Sequence, residues 1–308
     1  MLLRRILLLT LTFLLLGLAM ISAKPAVDLP EGPGSYEYYD SYYDFTMTIY
    51  YYRPSNLTKS TPVVMVMHGA GRTAMATRID WSAVAEENGL CIIAPHLSKD
   101  LLPGSDYILG NIMSLPESEY PEDISSMARN TKELWVFSLI DRIFDDFKTR
   151  QTLKARKYYL YGHSGGSQFV HRMMLLYPEG KVERAYAANA GWYTKPLFDI
   201  DWPYGIGGME DIIDSKQVDA YLETPLTILL GDQDLLDTSS FRKTEETMLQ
   251  GGTRFARGLD YYETGRTLAA ETGAAFSWEK IIVEGVGHSN REMSLPAAAA
   301  LIDFLNSK

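Results

Sequence analysis

YYLYGHSGGSQFVHRMMLLY, residues 158 to 177, holds the reading of this chain. Tyr158 to Tyr161 form a short run with apolar bulk on both alternating faces, which suits a strand covered on each side. Val170, Met173, Met174 and Tyr177 then fall at the i, i+3, i+4, i+7 spacing of a helix that buries one face. Between them Gly162-His163-Ser164-Gly165-Gly166 must turn the chain from strand to helix within a few residues. A serine held on so sharp a turn needs small neighbours, because either flank is crowded. Its hydroxyl then stands at the carboxyl end of the sheet, close to the positive end of the helix dipole.

The same alternation extends outward in both directions. The apolar runs VVMVM (63 to 67), LCIIA (90 to 94), AYAANA (185 to 190), LTILL (226 to 230) and KIIVE (280 to 284) read as strands apolar on both faces. Val136, Leu139, Ile140, Ile143, Phe144 and Phe147 mark a helix between two of them, and Ser294 before Pro296 reads as the start of a last helix burying Leu301, Ile302 and Leu305. Alternating strands and helices predict an α/β fold with one mostly parallel, doubly wound sheet. Ahead of it, the aromatic and β-branched residues from Tyr42 to Tyr52 suggest one or two antiparallel strands, the tyrosines being suited to a half-covered sheet edge. KPAVDLPEGPGS, residues 24 to 35, reads as an extended arm. The segments 97–130 and 193–223 fit neither period. They leave the carboxyl ends of two strands, where open α/β sheets bind ligands, and so read as lid-like insertions.

A serine becomes nucleophilic only when a base takes its proton. Of His68, His96, His163, His171 and His288, the pair His163 and His171 lie too close to Ser164 in sequence to fold back on it. His288, in EGVGHSN just past the KIIVE run, sits on a loop at the correct end of the sheet and is the expected base. An acid must hold the imidazole in one tautomer. LTILLGDQDLLD offers Asp232, Asp234 and Asp237; Asp234 is preferred, with Asp232 a turn former and Asp237 a cap for the next helix.

The order Ser164, Asp234, His288 is that of the α/β-hydrolase arrangement. On these residues the chain resembles the α/β-hydrolase superfamily over nearly all of its mature length, and most resembles secreted serine esterases of the polyhydroxybutyrate depolymerase and feruloyl esterase kind. His68-Gly69-Ala70-Gly71, directly after VVMVM, matches that family's H-G-x-G loop. The resemblance implies an α/β-hydrolase fold over residues 36–308, an oxyanion hole from the backbone N–H groups of Ala70 and Gly165, and a structural role for His68. It implies hydrolysis of a carboxylic ester through an acyl-enzyme, with a small-molecule or oligomeric ester as the partner. A serine peptidase or an acyltransferase shares this triad, and a silent envelope binding protein keeps the fold without the chemistry. Trp192, Trp202 and Tyr204 read equally as the lining of an acyl pocket or as packing of an irregular lid. In QGGTRFARG, Arg254 and Arg257 read as solvated or ion-paired, with anion binding the lesser alternative.

Composition sets limits on the remainder. At 46% hydrophobic and 22% charged residues the chain has the make-up of a globular protein with ample core. A formal charge of −10 disfavours nucleic acid and anionic polymers and favours neutral esters. The lone cysteine, Cys91, excludes an intrachain disulfide and any CxxC site, and its apolar run marks it as core filler. The histidines are scattered and no phosphate-binding loop is present, so neither a metal nor an organic cofactor is expected. Arg4 and Arg5, an uncharged stretch from Ile6 to Ile21, and the small residues Ser22 and Ala23 have the three-part form of a bacterial export signal, residues 1–23. Cleavage after Ala23 would deliver the enzyme to the periplasm or beyond, with a charge of −12 because two arginines and no acid are lost. Without cleavage the stretch would serve as a membrane anchor, being near the roughly 17 residues that begin to span a bilayer.

Overall fold

The computed structural model describes residues 28–103, 105–114, 127–236 and 240–308. The expected export signal (1–23), the first residues of the arm and Asp237 lie outside the described residues. An eight-stranded sheet forms the centre: β1 Gly32–Asp40, β2 Phe45–Arg53, β3 Val63–Met67, β4 Cys91–Pro95, β5 Tyr158–His163, β6 Val182–Ala188, β7 Leu226–Gly231 and β8 Glu279–Val283. Its order is β1-β2-β4-β3-β5-β6-β7-β8, antiparallel through β1, β2 and β4 and parallel from β4 to β8.

The parallel strands have their two faces sorted residue by residue. Val64 and Val66 of β3 join a cluster with Trp81 and Ala85 of helix α1 (Ala74–Asn88) and with Met293 and Leu301 of the last helix. Val63, Met65 and Met67 join the other, with α3 (Val136–Arg150), α4 (Gly165–Leu176) and α7 (Arg254–Thr272). Every side chain of β3 is fully buried, so each contributes about 1.5–3 kcal/mol of burial free energy. Short helices α2 (Asp106–Leu109), α5 (Ser215–Leu222) and α6 (Glu245–Gln250) lie in the connections. Cys91 is buried at the start of β4.

Two boundaries differ from the sequence expectation. β1 begins at Gly32, inside the segment expected as an arm, and pairs along its whole length with β2. Gly34 permits this: a Cβ there would come within 2.3 Å of the Tyr51 ring, which lies across the strand. The last helix, α8, spans Asn290–Asn306 and so starts before Ser294. Ser289 caps it by accepting the Glu292 N–H at 3.3 Å, in the S-x-x-E pattern of a capping box, and Pro296 is carried inside. Of the two expected insertions, residues 104 and 115–126 of the first lie outside the described residues; its end meets the second where Arg129 pairs with Asp211 at 3.1 Å and donates to the Gly208 carbonyl at 2.7 Å.

Candidate active site

Ser164 stands between β5 and α4 with φ 55° and ψ −116°, a left-handed backbone that few non-glycine residues adopt. The strain is held by close packing. A Cβ on Gly166 would lie 2.1 Å from the Met67 carbonyl oxygen, and one on Gly162 would lie 2.3 Å from the Gly166 oxygen. The Ser164 N–H donates to the Ala188 carbonyl at 3.0 Å, which fixes the turn to the end of β6.

His288 reaches this serine from the loop between β8 and α8. Its Nε2 lies 2.9 Å from Ser164 Oγ, and its Nδ1 lies 2.6 Å from Asp234 Oδ2, so the three side chains form one continuous hydrogen-bonded chain. Asp234 is fully buried and follows β7, while the His288 side chain keeps about a quarter of its surface in contact with solvent. Asp232 instead accepts the Gly285 N–H at 2.8 Å and so ties the two loops together. With Nδ1–H donating to the carboxylate, Nε2 is free to accept the serine proton.

The H-G-x-G loop packs against the serine turn. A Cβ built on Gly165 would lie 3.0 Å from the Ala70 nitrogen, so the Ala70 and Gly165 backbones converge beside Ser164. As the first residue of α4, Gly165 carries an N–H with no partner inside its own helix. His68 accepts the Leu97 N–H at Nε2 (3.2 Å), which leaves Nδ1–H for the Gly69 carbonyl at 3.0 Å. Burial drives its pKa down to about 3, so it is neutral and braces the loop. His163 and His171 are buried too, and desolvation holds both well below the ordinary histidine range; the charges of His288 and Arg254 add to this at His163, and that of Arg172 at His171. His171 is used up by the Ser167 carbonyl and the Thr194 N–H. His96 lies just past β4, its N–H bonded to the Thr48 carbonyl.

One residue at the site, Asn189, escaped sequence reasoning, and the place of Arg254 behind the acid was not read from it. Asn189, at φ 48° just past β6, accepts the Gly231 N–H at 2.8 Å and donates to the Gly287 carbonyl at 3.0 Å. It therefore locks the acid-bearing loop to the base-bearing loop, and an asparagine closing an otherwise apolar run was the available signal. Arg254, at the start of α7, lies with its Nη1 3.6 Å from Asp234 Oδ1, both side chains being almost wholly buried. It also donates to the Leu236 carbonyl and to Ser240 Oγ. Arg257 is buried as well and donates to the carbonyls of Gly251 (3.0 Å), Gly191 (2.7 Å) and Arg242 (2.8 Å). Neither arginine is solvated: Arg254 takes the ion-paired alternative, with Asp234, and Arg257 departs from both alternatives by donating to backbone carbonyls. A Gly-Gly-Thr turn and Thr253 capping α7 deliver both guanidiniums inward.

Trp192, Trp202 and Tyr204 are placed as packing. The Trp192 and Tyr204 rings lie 5.0 Å apart, the Arg172 guanidinium covers Trp192 at 4.1 Å, and Arg242 donates to the Tyr204 hydroxyl at 2.9 Å. All three are nearly buried. The cavity beside the H-G-x-G loop, about 330 Å³, is lined instead by Ala70, Arg72, Lys99, Tyr107 and Ile108.

No family model matches the chain, and no curated protein matches it. Solved structures do. Poly(aspartic acid) hydrolase-1 from Sphingomonas sp. KT-1 is 35% identical over 88% of this chain and 98% of its own, with a TM-score of 0.80. A poly(3-hydroxybutyrate) depolymerase from Bordetella parapertussis is 32% identical over 89% of this chain and 90% of its own, also with a TM-score of 0.80. An S-formylglutathione hydrolase from Staphylococcus aureus, at 16% identity and a TM-score of 0.54 over 89% of this chain and 98% of its own, shares the fold alone.

Proposed function

This chain belongs to the α/β-hydrolase family, and from that premise we propose that it is an exported serine hydrolase of carboxylic esters. The observation that carries the reading is the unbroken hydrogen-bonded chain Asp234–His288–Ser164 at the carboxyl end of β5. Ser164 Oγ attacks the ester carbonyl while His288 Nε2 takes its proton. Asp234 stabilises the resulting imidazolium. The tetrahedral oxyanion is received by the N–H groups of Ala70 and Gly165, each such donor being worth about 3–4 kcal/mol in a site closed to water. His288 then protonates the departing alkoxide, leaving an acyl-Ser164 ester. Water, deprotonated by His288, releases the acid and restores the serine.

Replacement of Ser164 by Ala abolishes turnover of a nitrophenyl ester while the circular dichroism spectrum is unchanged; retained turnover overturns the assignment. The N-terminal pattern supports export, and among the described residues no helix is long and apolar enough to cross a membrane. N-terminal sequencing of the exported chain then starts at Lys24, whereas a chain retaining Met1 favours the anchor. A second reading, cleavage of an aspartate polymer, is favoured by the 35% identity to a poly(aspartic acid) hydrolase. Release of new amino groups from poly(aspartic acid), compared with release of acid from hydroxybutyrate oligomers, separates the two.

A further inference from the structure

The sheet order places the parts of the site on opposite sides of Ser164. His288 and Asp234 come from the β7–β8 side, whereas the Ala70 loop follows β3, and the segment bearing Lys99, Tyr107 and Ile108 follows β4. In the proposed reaction His288 must reach the leaving oxygen, so the alcohol part of the ester points toward β7 and β8. The acyl chain is therefore directed the other way, toward the cavity of about 330 Å³ that opens beside Ala70.

That cavity has a cationic wall in a chain whose net charge is −10. Arg72 is about nine-tenths buried and has φ 57°, so strained backbone is spent on aiming its side chain. The turn is closed by its N–H on the Gly69 carbonyl at 3.0 Å. Its guanidinium donates to the carbonyls of Leu97 (2.7 Å) and Leu102 (3.0 Å) and lies 4.5 Å from the centroid of the Tyr107 ring. Those partners are neutral, so the guanidinium has hydrogen bonds there but no ion-pair partner. Lys99 adds an exposed ammonium at the rim. Among the described residues no carboxylate lies within ion-pair distance of either cation. Asp106, at the start of α2, is the acid that Arg72 feels most, and burial pushes its carboxyl above the usual range against the pull of that arginine. Tyr107 and Ile108 supply apolar walls for a short chain between the two charged ends. A buried cation without an ion-pair partner favours an anionic ligand much more strongly than the same charge on the open surface.

We propose that this cavity is an acyl-side subsite for a carboxylate, and that the enzyme acts on esters of short dicarboxylic or carboxylate-bearing acids, which Arg72 and Lys99 recognise at the end remote from the scissile carbonyl. The inference rests on the reading of Ser164 as the nucleophile. It replaces the expectation, drawn from net charge, that neutral esters are preferred: a local field set by two cations at the acyl subsite outweighs a diffuse acidity screened over about 8 Å in physiological salt.

The test compares monoethyl succinate with ethyl butyrate, whose acyl chains are of equal length, by titrating the acid released. Wild type shows the higher kcat/KM on the succinate ester, and the preference shrinks as salt is raised. Lys99→Glu lowers the succinate-to-butyrate ratio about tenfold, the size expected when a rim cation is reversed to an anion. Arg72→Gln lowers it further, with thermal melting used to confirm that the loop it braces is still folded; Lys99, being exposed, decides the matter if that variant unfolds. Turnover of both esters with no preference for succinate, or a ratio unmoved by Lys99→Glu, overturns the subsite and leaves the esterase standing. No turnover of either ester, together with no dependence of any ester hydrolysis on Ser164, overturns both.

Discussion

The two flanks of Ser164 are made from the same ingredients, arginines and aromatic rings, yet on one the rings are buried among the cations and on the other they border a cavity. On the β6–β7 side Arg172, Arg242 and Arg257 are threaded among Trp192, Tyr204 and the carbonyls of Gly191 and Gly251, and these rings are buried. On the β4 side Arg72 and Tyr107 stack in a similar way but border a cavity with Lys99 at its mouth. Arginine beside an aromatic ring therefore does not by itself mark a binding site. Arg72 and Arg257 both donate to backbone carbonyls; what sets Arg72 apart is the cavity it borders, with a second cation at the mouth.

The strongest way to break this comparison is to attack the flank of buried rings. Arg257→Met orphans three buried carbonyl oxygens, each costing about 1–3 kcal/mol, offset in part because a buried cation is no longer desolvated. Burial, reinforced by Arg254, pulls the pKa of the Arg257 guanidinium down to about 10, the same desolvation that its removal relieves. A net loss of about 3 kcal/mol is expected, lowering the melting temperature by roughly 6–12 °C in a chain of this size. A melting temperature within a degree or two of wild type means the flank is not the scaffold described. Arg254→Met is milder and acts on rate. Its guanidinium lies behind Asp234, so its loss lets the carboxylate drift and lowers kcat about tenfold with KM little changed. Arg254→Lys restores most of the rate if charge behind the acid is what matters; equal loss in both variants assigns Arg254 to packing. The smallest effect belongs to the flank that borders the cavity, where Lys99→Glu changes the ratio between two substrates more than the rate on either.

Much of this architecture was legible because it depends on local rules. Continuous apolar runs fixed the parallel strands, the helical spacing from Val136 to Phe147 fixed α3, and the glycines around Ser164 admitted no other local geometry. The chain order of serine, acid and histidine was equally readable. The flanks were not. Trp192, Trp202 and Tyr204 carry no period, and whether they face a cavity depends on Arg172 and Arg242, which arrive from distant parts of the chain. Arg254 and Arg257 read as solvated or ion-paired because charged residues usually are; that a turn delivers both to buried backbone oxygens was not legible. Asn189 was hidden for a related reason, since its two partners lie on loops that meet only in the folded state. The start of α8 was misplaced although its signal was local: Ser289 caps the helix through the Glu292 N–H, which outweighs the usual preference for Pro in the first turn.

The central claim is that Ser164 is a nucleophile activated by His288. Peptide mapping by mass spectrometry after brief exposure to a fluorophosphonate tests it most directly. The account predicts a single adduct, on Ser164, formed orders of magnitude more slowly in His288→Ala. An adduct on another residue, or labelling of Ser164 at an unchanged rate in that variant, would contradict it.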